Sequence, residues 1–212
     1  MNQLTPFTKQ ALGILRDPSL LQWYVIPLLA IAFYVYATEI ERKNWSLILA
    51  GLAFWGMDWI NEIINSLILH FTEFAPLWCA PGKTAYLILV GLNVEITFMF
   101  LIAGIIWTKM LPENKNMKIL GLNNRWFIII TGSIFSVVIE LVLNAADMLT
   151  WEYSWWNAKV PWLIIVFGYM TFFYVAFWVY DMKTMKQKIT TVGVIYTIVL
   201  LSAIVFGSLG WI

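Results

Sequence analysis

Six long apolar stretches run through the chain, near residues 20–38, 45–71, 85–108, 126–150, 161–180 and 189–211, separated by short polar or charged segments. Each comes near the ~20 apolar residues an α-helix needs to cross the ~30 Å hydrocarbon layer of a bilayer. The pattern predicts an all-α integral membrane protein, a compact bundle of six transmembrane helices. Ahead of the first stretch, Thr5–Arg16 puts Phe7, Ala11, Leu12 and Leu15 on one helical side, the spacing of a helix lying along the membrane interface. The expected organisation is an interfacial N-terminal segment, 1–19, followed by a single six-span domain, 20–212.

Polar residues inside these stretches are not scattered. In the second, Asp58, Asn61, Glu62 and Asn65 fall in a sector of about 100° at helical geometry. In the fourth, Ser133, Ser136, Glu140, Asn144, Asp147 and Trp151 fall within about 80°. The third carries Glu95, flanked by Asn93 and Thr97. Five carboxylates (Asp58, Glu62, Glu95, Glu140 and Asp147) thus lie at membrane depth with no lysine or arginine beside them. Each costs ~2.5–3.5 kcal/mol there even on the gentlest scale, so they are expected to hold protons, bind a cation or line a watery cavity. At ~1.5 Å rise per residue, Asp58, Glu95 and Glu140 should share one level. Spans 2, 3 and 4 should then be mutual neighbours, with spans 1 and 6 peripheral.

These five acids are the candidate catalytic residues, with Asp58 and Glu140 expected to act as a coupled pair. Trp55, Trp59, Asn65, Asn93, Asn144 and Trp151 are the candidate substrate-binding residues. Aromatic faces stabilise cations, and several of the tryptophans flank the acids. An internal echo pairs residues 45–100 with 126–176. Trp45, Gly51 and Phe54 match Trp126, Gly132 and Phe135 at one offset, which predicts a parallel repeat of spans 2–3 with spans 4–5.

Composition agrees and narrows the chemistry. Of 212 residues 61% are hydrophobic and 12% charged, which excludes an ordinary soluble domain. A net charge of +1 gives no nucleic-acid footprint. The single cysteine, Cys79, rules out an internal disulfide. The single histidine, His70, sits at the end of the second span, where it reads as an interfacial side chain or a proton carrier. No cofactor or metal motif is present. Counting Lys and Arg, nine lie on one side of the predicted topology and four on the other. The positive-inside rule then puts both termini outside the cytoplasm.

The segment LAFWGMDWINEIINSL (52–67), followed by LVGLNVEITFMF (89–100), resembles the small membrane-integral terpene cyclases of fungal meroterpenoid pathways. Those proteins carry a Trp–acid helix followed by a helix with a Leu-Asn pair. The resemblance implies a membrane carboxyl that protonates an epoxide or alkene of a prenylated substrate. It would set Glu62 near the family's first acid and Asn93 on the Leu-Asn pair. The family's late acid has no counterpart, since no acid follows Asp181.

Three functions fit these residues. The first is an enzyme acting on a lipophilic, isoprenoid-like substrate by carboxyl general acid catalysis in an outward-facing intramembrane cavity. The second is a small proton- or cation-coupled carrier using the same carboxylates. The third is a non-catalytic membrane subunit whose acids pair with a basic protein partner.

Overall fold

A computed structural model describes residues 3–212. The chain is predominantly helical: α1 (Pro6–Ile14), α2 (Val25–Glu41), α3 (Trp45–Thr72), α4 (Val94–Lys109), α5 (Asn124–Ala145), a short α6 (Pro161–Leu163), α7 (Met170–Asp181) and α8 (Met185–Ser208). A π-helical segment, Ile164–Tyr169, joins α6 to α7, so Pro161–Asp181 runs as one helical rod. Two small antiparallel hairpins precede α4 and α5. They are β1 (Leu87–Leu89) with β2 (Leu92–Asn93), and β3 (Lys118–Ile119) with β4 (Leu122–Asn123).

Among the described residues, four helices are long and apolar enough to cross a membrane: α3, α5, the Pro161–Asp181 rod and α8. At 17 and 16 residues, α2 and α4 reach only ~25 Å, short of the ~30 Å layer. Large apolar side chains such as Phe33, Val142, Ile198, Leu201 and Ile204 are exposed along the bundle, as an exterior solvated by lipid requires.

The centre of the bundle is α3, which packs on α4, α7 and α8. It differs from the expected arrangement of spans 2, 3 and 4 as mutual neighbours. α5 packs instead on α7 and the π-helical segment, and α8 lies directly against α3 rather than at the periphery. Small residues explain the α3–α4 choice. A Cβ on Gly104 would come within 2.8 Å of the Gly51 carbonyl oxygen, so the two backbones meet where neither carries a side chain.

Several predicted boundaries move. The expected third span, 85–108, is interrupted because Gly91-Leu92-Asn93 closes a hairpin and Asn93 Oδ1 accepts from the Ile96 amide, starting the helix only at Val94. The expected fourth span, 126–150, stops at Ala145, and Asp147 turns the chain at φ 54°. Within the expected repeat the two units differ locally. The first unit has a hairpin before its second helix, and the second unit has a π-helical segment instead. What does recur is a hairpin with Gly-Leu-Asn and an Asn N-cap, at Gly91–Asn93 before α4 and at Gly121–Asn123 before α5.

One end of the bundle is closed by a cap built from α1 and the segments 73–93 and 146–160. The expected interfacial helix α1 is docked into this cap. Ala11 is fully buried, and the Thr5 and Thr8 hydroxyls both donate to Glu152 Oε2. Cys79 and Thr150 exchange two backbone hydrogen bonds across the cap. Both ends of the described chain lie at this end of the bundle, since the Thr5 amide donates to the Phe74 carbonyl and Trp211 stacks on His70 at 4.9 Å.

Burial, with Glu152 nearby, pushes the Cys79 thiol up to about 12. The thiolate is the nucleophile, so maleimide at mildly alkaline pH should leave Cys79 unmodified in the folded protein and label it rapidly after denaturation. Rapid labelling of the native protein would mean that the cap opens.

Candidate acid chamber

Asp58 and Glu62 stand four residues apart on α3, one turn of the same face. Both are 3% exposed. Glu140 reaches the same place from α5. The three carboxyls converge on a cavity of about 40 Å³. One oxygen of each, Asp58 Oδ2, Glu62 Oε2 and Glu140 Oε2, has no hydrogen-bond partner among the described residues, nor do the indole N–H groups of Trp151 and Trp156 that line the same chamber. Five unpartnered polar atoms around one small space are unusual, because buried polar groups are almost always satisfied.

The rest of the wall is aromatic. Trp78, from the cap, donates its indole N–H to Glu62 Oε1 at 2.7 Å, and Trp156 stacks on Trp78 at 6.4 Å. Phe100, Tyr169 and Phe172 complete the wall. The π-helical segment delivers Ile164, Gly168 and Tyr169 to the chamber. A π-turn inserts an extra residue and re-aims the side chains after it. The Thr171 hydroxyl donates to the Gly168 carbonyl at 2.6 Å.

Below the acids the bundle is plugged. Phe54, one turn before Asp58, packs its ring on Phe100, Phe172 and Phe173 at 5.8, 5.7 and 5.1 Å. To one side of the chamber lies a second, apolar cavity of about 600 Å³ between α2, α4 and α5. Ile96, Phe100, Glu140, Leu149 and Tyr169 line both spaces.

The predicted site residues separate into three groups. Asp58, Glu62, Glu140 and Trp151 line the chamber. Asn65, fully buried one turn beyond Glu62, does not line it but builds it. Its Oδ1 accepts from the Leu77 and Trp78 amides and its Nδ2 donates to the Trp78 carbonyl, which fixes Trp78 over Glu62. The remainder act elsewhere. Glu95 lies in the first turn of α4 and is occupied by the Tyr24 hydroxyl, the Thr84 hydroxyl and the Ala85 amide; it lines the apolar cavity and not the chamber. Asp147 is exposed in its turn. Asn93 is the α4 cap, and Asn144 donates to the Leu149 carbonyl to close the turn after α5. Trp55 donates to Thr97 Oγ1, and Trp59 stands edge-on to Trp55 at 6.4 Å, away from the chamber. His70 stacks on Trp211, in a separate cavity near the C-terminus.

Trp78, Trp156 and Tyr169 are not among the candidate site residues taken from the sequence. The first two lie in the aromatic-rich segments 72–84 and 151–161, where a long-range fold decides which ring points inward. Asn65→Leu should lower stability by roughly 2–3 kcal/mol, because it strands three buried backbone groups, and it should release Trp78 from Glu62. Thermal unfolding and tryptophan fluorescence would register both.

The model of an uncharacterized membrane protein family matches residues 5–208. A protein of Archaeoglobus fulgidus described as uncharacterized is 54% identical over 209 residues, covering 98% of this chain and 99% of the relative. A second uncharacterized protein of that organism is 39% identical over 54 residues, covering 25% of this chain and 96% of the relative. No solved structure matches the chain. The chain therefore belongs to this uncharacterized membrane protein family.

Proposed function

We propose that the chain is an intramembrane enzyme that protonates a lipophilic, isoprenoid-like substrate, with Asp58, Glu62 and Glu140 as its acid–base groups. The observation that carries this reading is an apolar cavity that shares a wall with a small chamber holding three carboxyls, each with an unpartnered oxygen. Carboxyls crowded in a dry site keep a donor proton. One carboxyl gives its proton to an alkene carbon and becomes a carboxylate. The carbocation forms beside the Trp78, Trp151, Trp156 and Phe172 rings, whose faces favour it. A neighbouring carboxylate then takes a proton from an adjacent carbon. The proton count is restored, and the product is an isomer or a cyclised form of the substrate. The resemblance to membrane-integral terpene cyclases points the same way for Glu62. It gives no role to Asn93 beyond its cap.

The phenylalanine plug favours this reading over a proton- or cation-coupled carrier, which needs a hydrated route to both sides. The subunit reading needs a basic partner to reach carboxyls that the cap covers. We further propose that all six apolar helices traverse the bilayer, with the cap end outside and the Lys/Arg-rich end in the cytoplasm.

The test is to incubate the reconstituted protein with polyprenols, squalene and their epoxides and look for products of unchanged mass and altered retention. Products that disappear in Asp58→Asn, Glu62→Gln and Glu140→Gln support the enzyme. Acid-dependent discharge of a pH gradient with no lipid product would support the carrier instead.

A further inference from the structure

The larger cavity runs beside α4 from Glu95 to Met110, the whole length of the helix. Its walls are apolar: Met99, Ala103 and Ile106 of α4, Ile139 and Leu143 of α5, and Ile31 of α2. Met99 and Ile106 are also 44% and 50% exposed, so the space opens sideways onto the lipid-facing surface. At its foot the Trp107 and Phe135 rings meet edge to face at 5.9 Å, bridging α4 and α5. It shares Ile96, Glu140, Leu149 and Tyr169 with the acid chamber. No lysine, arginine or histidine lines either space.

We infer that this groove is a lateral binding site for a long-chain lipid that enters from the bilayer between α4 and α5, lays its chain along α4 and inserts a small uncharged end into the acid chamber. The inference rests on the acid-chamber reading above and adds the route, the orientation and the class of ligand. Size and charge select the end-group. A space of about 40 Å³ takes only a few water-sized groups. Three carboxyls with no cation repel a phosphate or carboxylate, whose burial there would go uncompensated. A hydroxyl or a double bond meets no such penalty, and a hydroxyl can satisfy the unpartnered oxygens. The Trp107–Phe135 contact sets the foot of the groove and so limits chain length.

The experiment uses the full chain in phosphatidylcholine vesicles, irradiated with hexadecanol bearing a diazirine at its chain terminus, and separately with the phosphate ester of the same probe. The alcohol should label Ile106, Trp107, Met110 and Phe135 at the foot of the groove. The phosphate should label these positions about tenfold less, a difference of one decade in affinity. Ala103→Trp should reduce labelling about tenfold, while Ile198→Trp on the exposed face of α8 should not. Should Ala103→Trp fail to fold, Ile139→Trp fills the same space from α5.

Equal labelling by alcohol and phosphate overturns the inference. So does labelling confined to the outer faces of the bundle and indifferent to Ala103→Trp. Labelling reports occupancy of the groove, and turnover reports the acids. Groove labelling in a protein that turns over no lipid would therefore remove the catalytic reading alone. Acid-dependent turnover without groove labelling would remove this inference alone.

Discussion

Replacing Asp58 by Asn, or Glu140 by Gln, should lower lipid turnover by roughly a hundred- to ten-thousand-fold, the usual contribution of a positioned general acid, while the protein still folds. The two side chains come from different helices and line one chamber, each with an oxygen that nothing in the described protein engages. An amide keeps the size of the carboxyl and can donate a hydrogen bond, but it cannot give up and take back a proton. Thermal unfolding and size-exclusion profiles of both variants should match those of the parent protein. Asp147→Asn is the internal control. That acid is exposed in a turn with positive φ, a conformation Asn tolerates, so turnover should be unchanged. Full activity in Asp58→Asn and Glu140→Gln together would reduce the carboxyls to hydrogen-bonding groups that hold the fold.

Gly104→Val should be the most damaging single change to stability. A Cβ there meets the Gly51 carbonyl oxygen and the Phe54 Cβ at 2.8 Å and the Gly51 Cα at 2.9 Å. Two of those three atoms belong to the α3 backbone, which cannot step aside as a side-chain tip can. Overpacking of this kind costs typically 1–3 kcal/mol and sometimes more. Valine adds two methyl groups beyond the Cβ, so the expected loss is at or above ~3 kcal/mol, read as a marked fall in melting temperature. Separation of α4 from α3 would also shift Phe100 against Phe54 and open the plug below Asp58. Gly193→Ala, where nothing lies within 4 Å of the added Cβ, should leave the melting temperature unchanged or raise it slightly, since alanine is the better helix former. Equal effects of the two changes would contradict the close α3–α4 approach.

The hydrophobic pattern made the helices legible because membrane-length apolar runs have few alternatives. Their ends were less so. Gly91-Leu92-Asn93 breaks the third run for local reasons of turn and cap, which an average over apolar residues smooths away. The same smoothing hid the end of α5 and carried Asp147 into a span it does not enter. The acid stripe on α3 was readable because four-residue spacing alone puts Asp58 and Glu62 on one face. Its meeting with Glu140 was readable only as a matching of levels, and that argument misled for Glu95. Depth says nothing about which neighbour a helix chooses, and Glu95 is taken up by Tyr24, Thr84 and Ala85. Tyr169 was invisible for a different reason. It points into the chamber because the backbone widens into a π-turn over Ile164–Tyr169, which a periodicity of 3.6 does not anticipate. Trp78 and Trp156 depend on contacts between segments some 70 residues apart, beyond any local pattern.

The central claim is that the three carboxyls pass a proton to carbon. The most direct measurement is solvent deuterium incorporation. Reconstituted protein is incubated in D₂O with a neutral lipid extract, and the lipids are analysed by mass spectrometry for deuterium that does not wash out in water. Protonation of an alkene followed by loss of a different proton writes deuterium into a C–H position, whatever the substrate's identity. The account predicts that a defined lipid gains deuterium with the parent protein and Asp147→Asn, and gains none with Asp58→Asn or Glu140→Gln. Enrichment that is absent throughout, or that persists undiminished in both acid variants, would contradict it.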